Sequence, residues 1–145
     1  MEDIKELYEM LYQEAAMQTQ IPMVREIKDL SVFIMPPAQP FVWEKCAYIL
    51  SEKTDQELEP YLEGMVEWIQ DLNWPGALTV AERLQIMDGC ILLQPFLNCY
   101  ERASVKPEQL KRAAYFWSDL LVNASFRNVL PEEVRMCLEK WKSEY

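Results

Sequence analysis

Apolar residues recur along most of this chain at spacings of three and four. Ile4, Leu7, Tyr8, Leu11 and Tyr12 lay one continuous stripe along a helix. Similar stripes run through Trp43, Cys46, Ala47 and Leu50; through Leu58, Tyr61, Leu62, Met65, Ile69 and Leu72; through Ala77, Val80, Ala81 and Leu84; and through Leu110, Ala113, Ala114, Trp117, Leu120 and Leu121. Strands would alternate instead. The last stripe, Val134, Cys137, Leu138 and Trp141, has Glu132 and Glu133 in its first turn and Lys140 and Lys142 at its end, which matches the helix dipole at both poles. Only the bulky apolar run from Leu30 to Met35, stopped by Pro36 and Pro37, has the composition of a strand. A lone strand has nothing to pair with, so the run is read as the end of a helix. Pro22, Pro40, Pro75, Pro107 and Pro131 each stand at the front of an apolar-periodic run, where a missing N–H costs least. Gly89 lies between two runs and is expected to close one helix in the left-handed conformation. Links this short force antiparallel neighbours, predicting an all-α chain of about seven or eight helices arranged in pairs.

The chain also echoes itself. Leu58-Glu59-Pro60-Tyr61-Leu62 and Leu93-Gln94-Pro95-Phe96-Leu97 share the pattern Leu-x-Pro-aromatic-Leu at a separation of 35 residues, and Pro40 and Pro75 are separated by the same 35. That period lies beside those of helical arrays, in which each helix pair buries its apolar face against the next. Trp68 to Ala77 then becomes the turn between paired helices, with Asn73 as the expected cap of the second.

At this turn the residues carry a signature. The stretch from Trp43-Glu44-Lys45-Cys46 through Leu58-Glu59-Pro60-Tyr61-Leu62 and Glu67-Trp68-Ile69-Gln70-Asp71-Leu72-Asn73-Trp74-Pro75-Gly76-Ala77 to Glu82-Arg83-Leu84 resembles the bacterial family filed as domain of unknown function 5071, with W-x-x-D-x-N-W-P-G-A as its core. The signature-bearing part spans residues 41–104. The resemblance implies a HEAT-like helical arrangement and a bacterial cytoplasmic source. It implies no activity and transfers no catalytic residue. The first 40 residues and the last 35 or so rest on periodicity alone.

Length and composition narrow the picture. The 145 residues suit a single helical domain spanning 1–145, and half of them are apolar, as in folded proteins. The first residues are acidic where a secretory signal would be basic, and no apolar stretch reaches the roughly 18 to 20 residues that span a bilayer. A cytoplasmic protein with no membrane partner is expected. Cys46, Cys90, Cys99 and Cys137 lie far apart, each within an apolar-periodic segment, which suits reduced core thiols better than disulfides or a zinc site.

Charge and missing residue types bear on function. Acids outnumber bases 24 to 14, giving a net charge of −10, so nucleic acid is not the expected partner and a basic protein is. The excess belongs to one part of the chain: residues 1–100 hold 17 acids and 6 bases, residues 101–145 hold 7 acids and 8 bases. Arg102, Lys106, Lys111 and Arg112 form a smaller basic cluster that reads as ordinary surface. The chain contains no histidine, which removes the usual general base and the usual zinc ligand. Its only glycines are Gly64, Gly76 and Gly89, which excludes the glycine-rich dinucleotide and phosphate loops. No catalytic residue and no cofactor are expected.

Two constellations remain. Asp71, Asn73, Gly76 and Glu82 occupy positions one, three, six and twelve of a calcium-loop template. Pro75 stands where a side-chain oxygen is needed, so no metal is expected. Asp71 and Asn73 instead satisfy free backbone N–H groups, Gly76 permits close packing and Glu82 faces water. Asp55, Glu59, Glu63, Glu67 and Asp71 are spaced by four throughout and would form an acidic band if the segment were one helix. Their mutual repulsion costs about 1 to 2 kcal/mol at low salt, so the band is either a merely solvated face or a docking surface for a basic protein. Of the five tryptophans, Trp43, Trp68, Trp117 and Trp141 read as core, whereas Trp74 occupies the turn. It is expected to staple the two helices together, the alternative being an exposed binding anchor.

The sequence therefore points to a protein-interaction module whose tentative partner-binding residues are Asp55, Glu59, Glu63, Glu67, Asp71 and Trp74. One concrete form is an immunity or antitoxin-like protein covering the nucleic-acid site of a basic nuclease. The alternatives are a structural homo-oligomer that pairs through Ile4, Leu7 and Leu11, and a metal-binding protein or enzyme.

Overall fold

A computed structural model describes residues 2–13 and 22–144. The described residues are predominantly helical, with no strand among them. In chain order they form α1 (Glu2–Gln13), α2 (Pro22–Glu26), a 3-10 turn (Leu30–Phe33), α3 (Pro40–Ser51), α4 (Asp55–Leu58), a 3-10 turn (Glu59–Tyr61), α5 (Leu62–Trp68) and α6 (Ala77–Gln85). Then follow α7 (Gly89–Ala103), α8 (Pro107–Trp117), a 3-10 turn (Ser118–Val122), α9 (Ala124–Val129) and α10 (Glu132–Glu144). None of these helices is long and apolar enough to cross a membrane.

The all-α reading holds, but the helices are shorter and more numerous than the stripes predict. Thr54 caps α4: its hydroxyl accepts from the Glu57 N–H at 3.1 Å while the Glu57 carboxylate accepts from the Thr54 N–H at 3.0 Å. The chain then tightens into a 3-10 turn that carries Pro60 before α5 begins. The same Leu-x-Pro pattern is absorbed without interruption in its second copy, where Pro95 lies inside α7. The stripe ending in Leu120 and Leu121 likewise leaves the α-helix at Trp117 and continues as a 3-10 turn. Leu30 to Phe33 is a separate 3-10 turn, with the Asp29 carboxylate accepting from the Ser31 N–H at 3.1 Å.

The broad contacts join mostly non-consecutive helices: α3 packs on α6, α5 on α7, α7 on α9 and α8 on α10, while consecutive α7 and α8 also touch. Trp68, Trp117, Phe33, Phe96 and Phe126 are fully buried. Phe96 meets Trp117 and Phe126 edge-on at 5.2 and 5.1 Å, and the Trp117 indole donates to the Val66 carbonyl at 3.0 Å, tying α8 to α5. Each of these rings contributes roughly 2 to 3 kcal/mol of burial.

Several expectations are overturned here. Leu7 and Leu11 are buried in the core and α1 packs on α3, so they are not available to pair with a second copy; Ile4 is half-buried. Gly89 does not close a helix. It opens α7 behind the cap Asp88, whose carboxylate accepts from the Cys90 N–H at 2.9 Å. Cys46 and Cys99 are buried as expected, but Cys137 is half-buried and Cys90 is exposed. All four are free thiols. The basic cluster disperses: Arg102 turns to α5, Lys111 lies 5.2 Å from the Trp141 ring, and Arg112 lines a cleft beside Trp74.

Candidate functional site

The turn between α5 and α6 is held from below by an indole and a glycine. Trp68, fully buried, donates from Nε1 to the Pro75 carbonyl at 2.9 Å and meets Trp43 edge-on at 5.6 Å. Trp43 in turn donates to the Pro36 carbonyl at 2.6 Å. Gly76 caps α6 with φ at 78°, and a Cβ there would lie 2.8 Å from the Trp43 carbonyl oxygen and 2.9 Å from Trp68 Cζ2. Glycine is required at this position both for its backbone conformation and for its close approach to neighbours. The staple is thus Trp68, and the expectations for Trp74 and Asn73 are both corrected. Trp74 is 41% exposed, and Asn73 does not cap α6. The Asn73 N–H is itself capped by Asp71 Oδ1 at 2.8 Å.

Two successive backbone turns present Trp74. Its N–H donates to the Asp71 carbonyl at 3.1 Å, and its own carbonyl accepts from Ala77 at the start of α6, also at 3.1 Å. It stands between two clefts. One, of about 300 Å³, is lined by Gln70, Asp71, Trp74, Glu108, Gln109, Arg112 and Ala113. The other, of about 440 Å³, is lined by Glu44, Asn73, Trp74, Pro75, Gly76, Thr79 and the leucines Leu72 and Leu78. Leu78 is 61% exposed. Leu72 also borders a third cleft with Tyr115, Phe116, Ser118, Asp119 and Lys142. Trp74 and Leu72 are each shared by two of these three clefts, whose walls together carry the acids Glu44, Asp71, Glu108 and Asp119 against the bases Arg112 and Lys142.

The five acids of the expected band do not share one helix. The break at Glu59–Tyr61 and the turn after Trp68 separate them, and cations from distant helices claim three of them. Asp55 pairs with the buried Arg83 at 2.6 Å and accepts from the Asp88 N–H at 3.1 Å, while Arg83 also donates to the Lys53 carbonyl at 2.9 Å. Asp55 is thus a structural joint between α4, α6 and the start of α7. Glu63 accepts from Asn98 and from Arg102, each at 2.9 Å, and Glu67 lies 3.7 Å from Arg102. These contacts bolt α5 to α7 and relieve the repulsion expected of neighbouring carboxylates. Glu59 is exposed on its 3-10 turn, and Asp71 lines the cleft beside Trp74.

Titration follows these contacts. Burial pushes the Asp55 carboxyl up, but the Arg83 hydrogen bond, the Asp88 N–H and the Arg83 charge outweigh it and hold the group below the ordinary 3.8. The hydrogen bonds from Asn98 and then Arg102 lower Glu63. Burial pushes the thiols of Cys46 and Cys99 up to about 12, so both stay protonated and are poor nucleophiles or metal ligands near neutral pH. Among the described residues no three His, Cys, Asp or Glu side chains gather closely enough to hold a metal ion.

A lowered folded-state pKa means that the Asp55 contribution is full above the unfolded value and is lost as pH falls through the folded one. Asp55→Asn is therefore expected to reduce stability by about 2 kcal/mol near neutral pH, because Arg83 loses its ionic partner in a largely dry position. The gap between wild type and variant should narrow below pH 3.8. Urea unfolding of both proteins across this range checks it; a gap independent of pH would show that the ion pair does not stabilise the fold.

Residues 44–93 match the model of the family described as Domain of unknown function (DUF5071). No curated protein and no solved structure matches the chain. The matched segment holds all six residues singled out from the sequence, from Asp55 to Trp74, together with the Trp68–Gly76 staple. The α8 walls of the cleft, Glu108 and Arg112, lie beyond it and were missed by sequence reasoning. Their signal in the sequence is weak: Glu108 is one of several acids at helix starts, and Arg112 reads as part of an ordinary basic surface.

Proposed function

We propose that the chain is a protein-interaction module that docks a basic partner on the surface centred on Trp74. The exposure of Trp74 on a rigidly held turn carries this reading. Large aromatic side chains between clefts are the groups that dominate interface energetics, and a partner covering Trp74 would remove it from water at little cost in chain ordering. The acids Glu44, Asp71, Glu108 and Asp119 on the adjoining cleft walls favour a positively charged partner. A basic nuclease covered at its nucleic-acid site remains the partner that charge and size suggest. The docking surface is narrower than the acidic band: Asp55, Glu63 and Glu67 serve the fold through Arg83 and Arg102, and reversing them would disturb helix packing as well as charge.

Trp74→Ala is the cleaner probe, because nothing in the core rests on that side chain. The urea midpoint should stay near that of wild type, while affinity for a captured and then purified basic partner should fall by about thirtyfold, the equivalent of roughly 2 kcal/mol. Wild-type binding should also weaken with salt. Affinity capture from a native lysate at low and moderate salt, followed by calorimetry with the purified retained protein, tests both. The same proteins retained by wild type and Trp74→Ala, with equal affinities, would refute the assignment.

A further inference from the structure

We propose that the cleft between the α5–α6 turn and the start of α8 receives a single arginine side chain of the partner; the inference rests on the interaction-module reading and narrows it to one recognition chemistry. The cleft holds about 300 Å³, at the small end of ligand sites, and its walls combine an indole, two carboxylates, two amides and one guanidinium. Asp71 and Glu108 exceed Arg112 by one negative charge, so one incoming cation brings the site to neutrality. Among the described residues neither carboxylate forms an ion pair with Arg112, so no existing bridge has to break. Asp71 lines the cleft, and its Oδ1 accepts from the Asn73 N–H at 2.8 Å, which restrains the carboxylate and leaves its second oxygen without a bond to that turn. Trp74, held by backbone bonds on both sides, supplies a flat π-surface.

Arginine fits these walls better than lysine. Its planar guanidinium can stack on the indole while its N–H fork donates to Asp71 and Glu108, and the Gln70 and Gln109 carbonyl oxygens accept what remains. An ammonium group is compact and strongly hydrated, and it lacks the planar fork with which one cation can lie flat on the indole and bridge two carboxylates in a fixed geometry. Arg112 opposes the guest by like charge, which gives the proposal a signed consequence: its removal should tighten binding.

The test uses the full chain, labelled with nitrogen-15 for resonance titration, and acetylated, amidated Gly-Arg-Gly, Gly-Lys-Gly and Gly-citrulline-Gly peptides. The arginine peptide should shift the Trp74 indole resonance saturably. Lysine should bind at least about fivefold more weakly and the neutral citrulline isostere not at all. Glu108→Gln and Trp74→Leu should each lower arginine affinity by about five- to tenfold, and Arg112→Gln should raise it. Equal response to arginine and lysine, or an unchanged response in Glu108→Gln, would overturn the arginine site. If Trp74→Ala still released the captured basic protein in that event, the interaction reading would stand with a different contact at its centre.

Discussion

Gly89→Ala is expected to be among the most disruptive single-methyl additions in this chain, lowering stability by about 3 to 5 kcal/mol. The new Cβ would land well inside contact distance of the Ser125 carbonyl group and the Phe126 nitrogen, all backbone, where no rotamer change can yield space. The Gly89 N–H also donates to Ser125 Oγ at 2.6 Å, so moving the 123–126 turn away breaks this bond as it relieves the clash. Gly76→Ala should rank second: its φ of 78° is costly for any residue with a Cβ, and the Trp43 carbonyl oxygen would lie 2.8 Å away. Gly64→Ala should cost least, since its nearest neighbour is the side chain of Ile34 at 3.0 Å, which can shift, and alanine favours the helix by up to about 1 kcal/mol. Urea unfolding of the three variants gives the ranking. A Gly89→Ala midpoint equal to that of Gly64→Ala would show that the start of α7 does not approach the backbone of α9 this closely.

The helical class was legible because apolar spacing reports a buried stripe directly. The stripes through Trp43, Cys46, Ala47 and Leu50 and through Ala77, Val80, Ala81 and Leu84 fall within α3 and α6. Pro40 and Pro107 do begin helices. Helix breaks were harder to see, because a 3-10 turn keeps the apolar residues on nearly the same face; Thr54-x-x-Glu57 was the local signal that a new helix starts before Leu58. The candidate site was half legible. The W-x-x-D-x-N-W-P-G-A run located the turn and Trp68 read as core, yet periodicity could not decide whether Trp74, on the turn itself, points inward. Trp68 closes the α5 stripe Leu62, Met65, Val66 and is buried, whereas Trp74 follows a turn that resets the phase. The partners of the acids were not legible at all. Asp55 meets Arg83 and Glu63 meets Arg102 across sequence separations of 28 and 39, and such pairings follow from tertiary placement, in the second case from the packing of α5 on α7, rather than from local spacing.

Asn123 offers the second large effect, and its two simplest replacements should differ in pH dependence. Buried to 6% exposure, it caps α9 by accepting from the Phe126 N–H at 3.1 Å, and it donates from Nδ2 to the Leu84 carbonyl at 3.0 Å and the Met87 carbonyl at 2.8 Å. One side chain thus joins the end of α6 to the start of α9. Asn123→Ala strands these buried groups together and is expected to cost about 3 kcal/mol at any pH. Asn123→Asp keeps the cap acceptor but turns a carboxylate oxygen toward two carbonyl oxygens, which disfavours the charged form and raises its folded-state pKa above the unfolded value of about 3.9. For a raised acid, the folded state binds the extra proton, so stability falls as pH rises from the unfolded to the folded pKa and recovers when pH is lowered through that window. Protonated, the new carboxyl can also donate to one of the two carbonyls. The Asp variant should therefore be at least as unstable as the Ala variant near neutral pH and regain part of the loss on acidification, while the Ala gap from wild type stays constant. Urea midpoints at about pH 7 and about pH 5, each taken relative to wild type, separate the two cases. Equal, pH-independent losses for both variants would mean that the Leu84 and Met87 carbonyls do not depend on Asn123, and that the joint between α6 and α9 is held by packing alone.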